Sequence, residues 1–175
     1  MSKHKLKWMI IDILFLILLI ALDQITKYLA VVKLKDQEPF EIIHKVFELH
    51  YLENSGAAFG MLQNQKIFFI FVAVAILFII SYVLFKTPDH KKYNVLHLSL
   101  IMIASGAIGN MIDRIRYDYV VDFFYFKLIN FPIFNVADIY VTVATVLIVL
   151  IIIFVYKEDD FSFLNMKQKR YRQIK

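Results

Sequence analysis

The sequence predicts an all-α membrane protein, a bundle of four transmembrane helices with a small extracytoplasmic β-sheet-like segment between the first two. Three observations predict it. Apolar residues make up 60% of the 175-residue chain, and they fall in four long blocks rather than in the stripes of a soluble domain. Lys and Arg gather at the chain ends and in one loop, as membrane topology requires. The ionisable residues within or beside the blocks lie, Asp12 apart, toward one end of them.

The first span is predicted over Trp8–Val32. Lys3, Lys5 and Lys7 resemble the basic start of a signal peptide, but the block is long and no small-residue cleavage site closes it. The second span, Ile67–Phe85, has 19 residues interrupted only by Ser81 and Tyr82. At the helical rise that is roughly 28 Å, enough to cross a hydrocarbon core. The third, Val95–Ile112, carries His97, Ser99 and the small residues Ala104, Ser105, Gly106, Ala107 and Gly109. Small residues let helix backbones approach, so this span is expected inside the bundle. The fourth, Val136–Tyr156, is rich in Val, Ile and Leu after Asp138. No length remains for a separate soluble domain, so residues 1–175 are read as one domain.

The Lys and Arg bias puts both termini in the cytoplasm, with residues 33–66 and 113–135 outside and a basic cytoplasmic tail over 157–175. Within 33–66, Phe40–Ile43 and Val46–Leu52 alternate with a period near two and predict short strands. The second outer segment carries Tyr117, Tyr119, Phe123, Phe124, Tyr125, Phe126 and Phe131, and is read as a loop with interfacial aromatic residues.

Ionisable groups at membrane depth are costly and mark function. Asp23 and Lys27, four apart on a helix, are placed to form an ion pair. Asn110, Asp113 and Arg114 lie at the end of the third span, Asp138 begins the fourth, and Asp122 lies in the loop between. The topology therefore puts Asp122 and Asp138 on one side, on neighbouring segments. Two close carboxylates share a proton, so one can activate water while the other protonates a carbonyl. Each residue also has a plain structural reading. Asn135 and Asp138 have the spacing of a capping box, and Asp122 alone is an ordinary loop carboxylate. Arg114 alone marks the interface, and Asn54–Gly60 makes a tight turn. A proton-conducting bundle and a non-catalytic assembly factor are the alternative functions.

Other chemistries find little support. The chain has no cysteine, which removes thiol nucleophiles and thiolate metal ligands. Its five histidines form no HExxH and no close pair, and neither GxSxG nor a glycine-rich phosphate loop is present. No metal, cofactor or nucleic-acid partner is expected. The net charge of +5 is accounted for by topology, and the tail is read as binding anionic inner-leaflet lipid or nothing specific.

Five motifs occur in order: Asp23-Gln-Ile-Thr-Lys27, Asn54-Ser-Gly-Ala-Ala-Phe-Gly60, Gly106-Ala-Ile-Gly-Asn110-Met-Ile-Asp113-Arg114, Val121-Asp122-Phe123 and Phe134-Asn135-Val-Ala-Asp138. Together, on four spans, they resemble the bacterial lipoprotein signal peptidases (signal peptidase II), an aspartic peptidase family. The resemblance runs from the first span through the fourth and stops at the basic tail. It implies Asp122 and Asp138 as the catalytic pair, supported by Asp23, Lys27, Asn54, Gly56, Asn110, Asp113, Arg114, Asn135 and Ala137. It also implies a substrate, a diacylglyceryl-modified prolipoprotein cleaved just before the lipidated cysteine, and a place in the bacterial cytoplasmic membrane. One chain carries every motif, so a monomer among membrane lipids suffices.

Overall fold

The computed structural model describes residues 3–56 and 61–164, with the side chains of residues 3–8 excepted. Four long helices are α1 (Lys3–Leu34), α2 (Lys66–Lys86), α3 (Asn94–Tyr117) and α4 (Val136–Phe154). Each contains a stretch long and apolar enough to cross a membrane. Three strands, β1 (Phe40–Ile43), β2 (Phe47–Asn54) and β3 (Val120–Tyr125), form one antiparallel sheet in that order at one end of the bundle.

α3 is the central helix and packs against α1, α2 and α4. Its small residues make this possible. A Cβ on Gly106 would sit 2.6 Å from the Ala137 carbonyl oxygen and 2.7 Å from Val141 Cγ2, so only glycine lets α3 approach α4 here. Ser99 and Ser105 are buried in the same helix, and each hydroxyl donates to the carbonyl four residues back, so neither hydroxyl is left unpaired. At the far end from the sheet, Ile80, Tyr93, Leu96, Leu100, Ala104, Ile151 and Tyr156 form the main apolar cluster. α2 stops at Lys86 because Pro88 follows and bars Thr87 from helical geometry.

Two expectations are corrected. The third helix does not end at Ile112 but continues to Tyr117, where Asp118 caps it in the left-handed region at φ 69°. Asn110, Asp113 and Arg114 therefore sit on formed helical turns, with fixed relative directions. The segment around Asp122 is not a loop but the third strand of the sheet that residues 33–66 begin. The sequence hid this pairing because β2 and β3 are separated by two helices. Strand pairing carries a bulge: Leu49 faces Phe124 and Leu52 faces Asp122, three steps on β2 against two on β3. The extra residue in β2 bends the strand beside Asp122.

One side of the sheet seals onto α1, where Val121 and Phe123 join Ala30, with Val31, Leu34, Leu49 and Tyr51 around them. Asp12, the one ionisable group toward the opposite end of its span, lies 3.4 Å from His97 on α3.

Gly106→Ala is expected to lower stability by about 1–3 kcal/mol, the cost of overpacking. The check is the thermal midpoint of purified protein in detergent, with Val149→Ala on the exposed side of α4 as the reference.

Candidate active site

Everything at the sheet end hangs on one buried ammonium. Lys27 Nζ lies 3.1 Å from Asp23 Oδ2 and 2.9 Å from Asp113 Oδ2, and donates to Asn110 Oδ1 at 2.8 Å. All three charged groups are buried. Asp23 Oδ1 accepts the backbone N–H of Ala137 at 3.0 Å, and Asp113 Oδ2 accepts that of Val121 at 3.2 Å. The ion cluster thus fixes the start of α4 and the start of β3. Gly109 is required beside it, since a Cβ there would run into the Asp23 carboxylate.

Asn110 transmits this order. A lysine only donates, so the amide oxygen must face Lys27 and the amide nitrogen must face away. That nitrogen donates to Asp138 Oδ1 at 2.9 Å. Asn135 does the corresponding work between the two aspartates. As N-cap of α4, its Oδ1 accepts the Asp138 N–H at 3.1 Å, and its own N–H donates to Asp138 Oδ2 at 3.1 Å. This is the full capping box expected from the spacing. Its Nδ2 donates to Asp122 Oδ1 at 2.6 Å and also reaches Asn110 Oδ1 at 3.2 Å.

Asp122 receives a second amide from β2, Asn54 Nδ2 to Asp122 Oδ2 at 2.8 Å. Asn54 is oriented in turn by Gly56, whose N–H donates to its Oδ1 at 3.0 Å. Arg114 fixes that turn from the helix side, donating to the Gly56 carbonyl at 3.0 Å while its guanidinium lies 4.4 Å from the centre of the Phe69 ring. A residue that alone reads as an interfacial arginine is therefore a clamp between α3, α2 and the end of β2. Ala57–Gly60, the rest of that motif, lies outside the described residues.

All eleven residues singled out from sequence lie in this one network. Sequence reasoning missed Gln24, whose Nε2 reaches Asp113 Oδ1 at 3.0 Å, Asp23 Oδ2 at 3.2 Å and the Gly109 carbonyl at 3.3 Å. Its place inside the Asp23–Lys27 motif was the available signal. It also missed Phe69.

Asp122 and Asp138 both line a cavity of about 440 Å³, with Asn54, Arg114, Phe131, Phe134 and Ile139 among its walls. A second hollow of about 310 Å³ between α2, α3 and α4 also borders Asn110, Arg114 and Asp138. Burial, reinforced by the neighbouring charge of Asp138, pushes the Asp122 carboxyl up to about 7 against the opposing bonds from Asn54 and Asn135. Near neutral pH this carboxyl holds a proton for much of the time.

Lys27→Met is expected to cost about 3–5 kcal/mol, because it strands two buried carboxylates. Chemical unfolding in detergent measures this, and Lys35→Met at the exposed Glu53 pair should cost less than about 1 kcal/mol.

Residues 15–154 match the family model described as signal peptidase (SPase) II. The chain is 41% identical to the lipoprotein signal peptidase of Clostridium tetani over 154 residues, covering 86% of this chain and 96% of that protein. It is 46% identical to that of Caldanaerobacter subterraneus subsp. tengcongensis over 134 residues, covering 76% and 89%. Among solved structures it is similar to a bacterial membrane enzyme determined by the in meso method at 2.3 Å, with TM-score 0.74, 30% identity, and 89% and 92% coverage. A second such structure, at 1.9 Å, gives TM-score 0.71 at 30% identity, covering 83% of this chain and 94% of that one. With its four apolar helices, this chain is a multi-pass bacterial membrane protein and an aspartic peptidase that belongs to the signal peptidase II family.

Proposed function

We propose that this peptidase removes signal peptides from diacylglyceryl-modified prolipoproteins, cutting just before the lipidated cysteine, with Asp122 and Asp138 as its catalytic pair. The observation that carries the pair is Asn135. Its backbone N–H holds Asp138 and its side chain holds Asp122, so one residue joins two carboxylates that open on one cavity. The substrate class is supported by the family and by the names of the curated relatives.

The chemistry follows from the protonation of the pair. Asp122, with its raised proton affinity, is the acid, and Asp138 is the base. Asp138 accepts a proton from a water as the water oxygen bonds to the scissile carbonyl carbon. The carbonyl π electrons move to oxygen, which takes the Asp122 proton, and a neutral gem-diol results. Collapse breaks the C–N bond: one gem-diol hydroxyl returns its proton to Asp122 as the carbonyl re-forms, and protonated Asp138 gives its proton to the leaving nitrogen, which restores the starting pair. No step calls on a metal, a cofactor or a side-chain nucleophile. The apolar walls, Phe131, Ile133, Phe134, Ile139 and Val143, suit a substrate that arrives from lipid.

In this reading the sheet end is extracytoplasmic and both termini are cytoplasmic, as the Lys and Arg distribution favours. Every residue of the site comes from one chain, so a monomer is sufficient. The end of the basic tail, 165–175, lies outside the described residues and has no assigned role.

Asp122→Asn and Asp138→Asn are each expected to reduce cleavage of a lipid-modified prolipoprotein by at least about 10²–10⁴-fold, the usual worth of a positioned acid or base. A wild-type rate from either variant sinks the assignment. The pH profile tests the roles. Asp122 is active when protonated, so kcat/KM should fall as pH rises through about 7. Asn54 favours the ionised form of Asp122, so Asn54→Ala should move this alkaline limb to higher pH, and a limb that stays put or moves down refutes the acid role.

A further inference from the structure

A cavity of about 630 Å³, larger than either hollow at the site, opens at the end of the bundle away from the sheet. It is a groove between α1 and α2 with α3 as its floor. α3 packs on both of these helices, and among the described residues α1 and α2 scarcely meet each other. The walls are apolar, with Ile13, Leu16, Leu77, Leu84, Leu98 and Ile101 among them. Asp12 of α1 and His97 of α3 also line the groove, with Asp12 Oδ2 3.4 Å from His97 Nδ1 and both side chains partly exposed. Ionisable groups within a span are costly and mark function, and the peptidase chemistry uses neither of these.

The length of the groove and the charge at its mouth say what fits it. His97 lies about one turn inside the start of α3 at Asn94, and Ile108 closes the groove at its deep end. Between the two is roughly 17 Å of helix. One leaflet contributes about 15 Å of hydrocarbon, half of a core about 30 Å thick. The groove therefore fits a lipid of that leaflet, with an acyl chain along the apolar walls and the headgroup at Asp12 and His97. A substrate's signal helix fits less well. It has to cross both leaflets, and this groove opens between α1 and α2, whereas the hollow that borders Asp138 lies between α2, α3 and α4. Among the described residues lining the groove are the acids Asp12 and Asp89 and no lysine or arginine. A purely anionic headgroup meets no permanent cation among them. An ammonium meets the Asp12 carboxylate, a charge-assisted acceptor, and the His97 ring can donate to the phosphate that such a lipid also carries.

We propose that the groove between α1 and α2 binds one phospholipid of the leaflet away from the sheet, selected by Asp12 for an ammonium in its headgroup. The site is separate from the peptidase chemistry and requires only that the four helices span the membrane. The bound chain fills the gap that α1 and α2 leave on α3, so the lipid completes the bundle at this end.

The chain has no cysteine, so one bimane fluorophore can be attached in the full-length protein. Ser81→Cys places it on the α2 wall of the groove, and Val149→Cys places it at an exposed position of α4. Each protein would be reconstituted in vesicles of equal phosphatidylethanolamine and phosphatidylglycerol with identical chains, only one of the two lipids being brominated. Brominated phosphatidylethanolamine is expected to quench the label at position 81 several-fold more strongly than brominated phosphatidylglycerol. At position 149 the two should quench equally. Asp12→Asn should make the two lipids equal at position 81, and Asp12→Glu, which keeps the charge, should keep the preference. Cleavage of prolipoprotein in detergent at the unaltered rate shows that each variant is folded. If Asp12→Asn fails that check, Leu98→Trp, which narrows the groove and leaves the carboxylate in place, should remove the preference in its stead. Equal quenching at position 81 with Asp12 present, or a preference that survives Asp12→Asn or Leu98→Trp, overturns the proposal. A label at position 81 that neither lipid quenches, with position 149 quenched, indicates a protein contact and also overturns it. A label at position 149 that neither lipid quenches overturns the span reading beneath it.

Discussion

The ammonium of Lys27 is the constraint from which the rest of the site follows. One buried cation shared between the buried carboxylates of Asp23 and Asp113 has few alternative arrangements, because each displaced partner becomes a buried unpaired charge. The outward oxygen of Asp23 takes the Ala137 N–H, and the Asp113 oxygen that faces Lys27 also takes the Val121 N–H. Helix α4 and strand β3 are thereby referred to the same point. Gln24 adds amide hydrogens where the two carboxylates outnumber the single cation. Such a cluster stabilises the fold little compared with apolar packing. Its value is geometric, since it admits one register of three elements.

From this anchor the order passes outward through residues whose amides cannot turn around. Lys27 dictates the orientation of Asn110, and the Gly56 N–H dictates that of Asn54. Each therefore presents its amide nitrogen to one aspartate, Asn110 to Asp138 and Asn54 to Asp122. A carboxylate placed by donors that are themselves placed is preorganised for its reaction. The bulge in β2 opposite Asp122 and the Arg114 clamp on Gly56 serve the same end from the sheet side.

Much of this was legible in the sequence. Four apolar blocks predict four spans, and the small residues of the third predict the central helix that Gly106 and Gly109 make possible. The capping box of Asn135 and the i,i+4 pair of Asp23 and Lys27 are local features, and local features can be read from spacing. The sheet's third strand could not be read so, because its partner lies across two helices and its aromatic residues serve an interface as well as a strand. For the same reason Asp122 looked like a loop carboxylate. Gln24 and Phe69 escaped notice because their roles exist only when α1, α2 and α3 are brought together. The cap and Asn110 engage different oxygens of Asp138: the cap holds Oδ2, and Asn110 holds Oδ1.

The division of the pair between two layers has a mechanistic consequence. Asp138 belongs to the first turn of α4 and Asp122 to β3, so the gap between them is set by how the sheet seats on the bundle. That seat is apolar, Val121 and Phe123 against Ala30 with Val31 and Val136 at its margin, and apolar seats resist compression. Asn135 spans the gap without closing it, since its donors go to one oxygen of each carboxylate. Burial on the sheet side lifts the proton affinity of Asp122, which is what the proposed acid role asks of it. A membrane peptidase needs water at a place that lipid dominates. A carboxyl pair held at the seam between a polar sheet end and an apolar bundle meets both demands with one geometry.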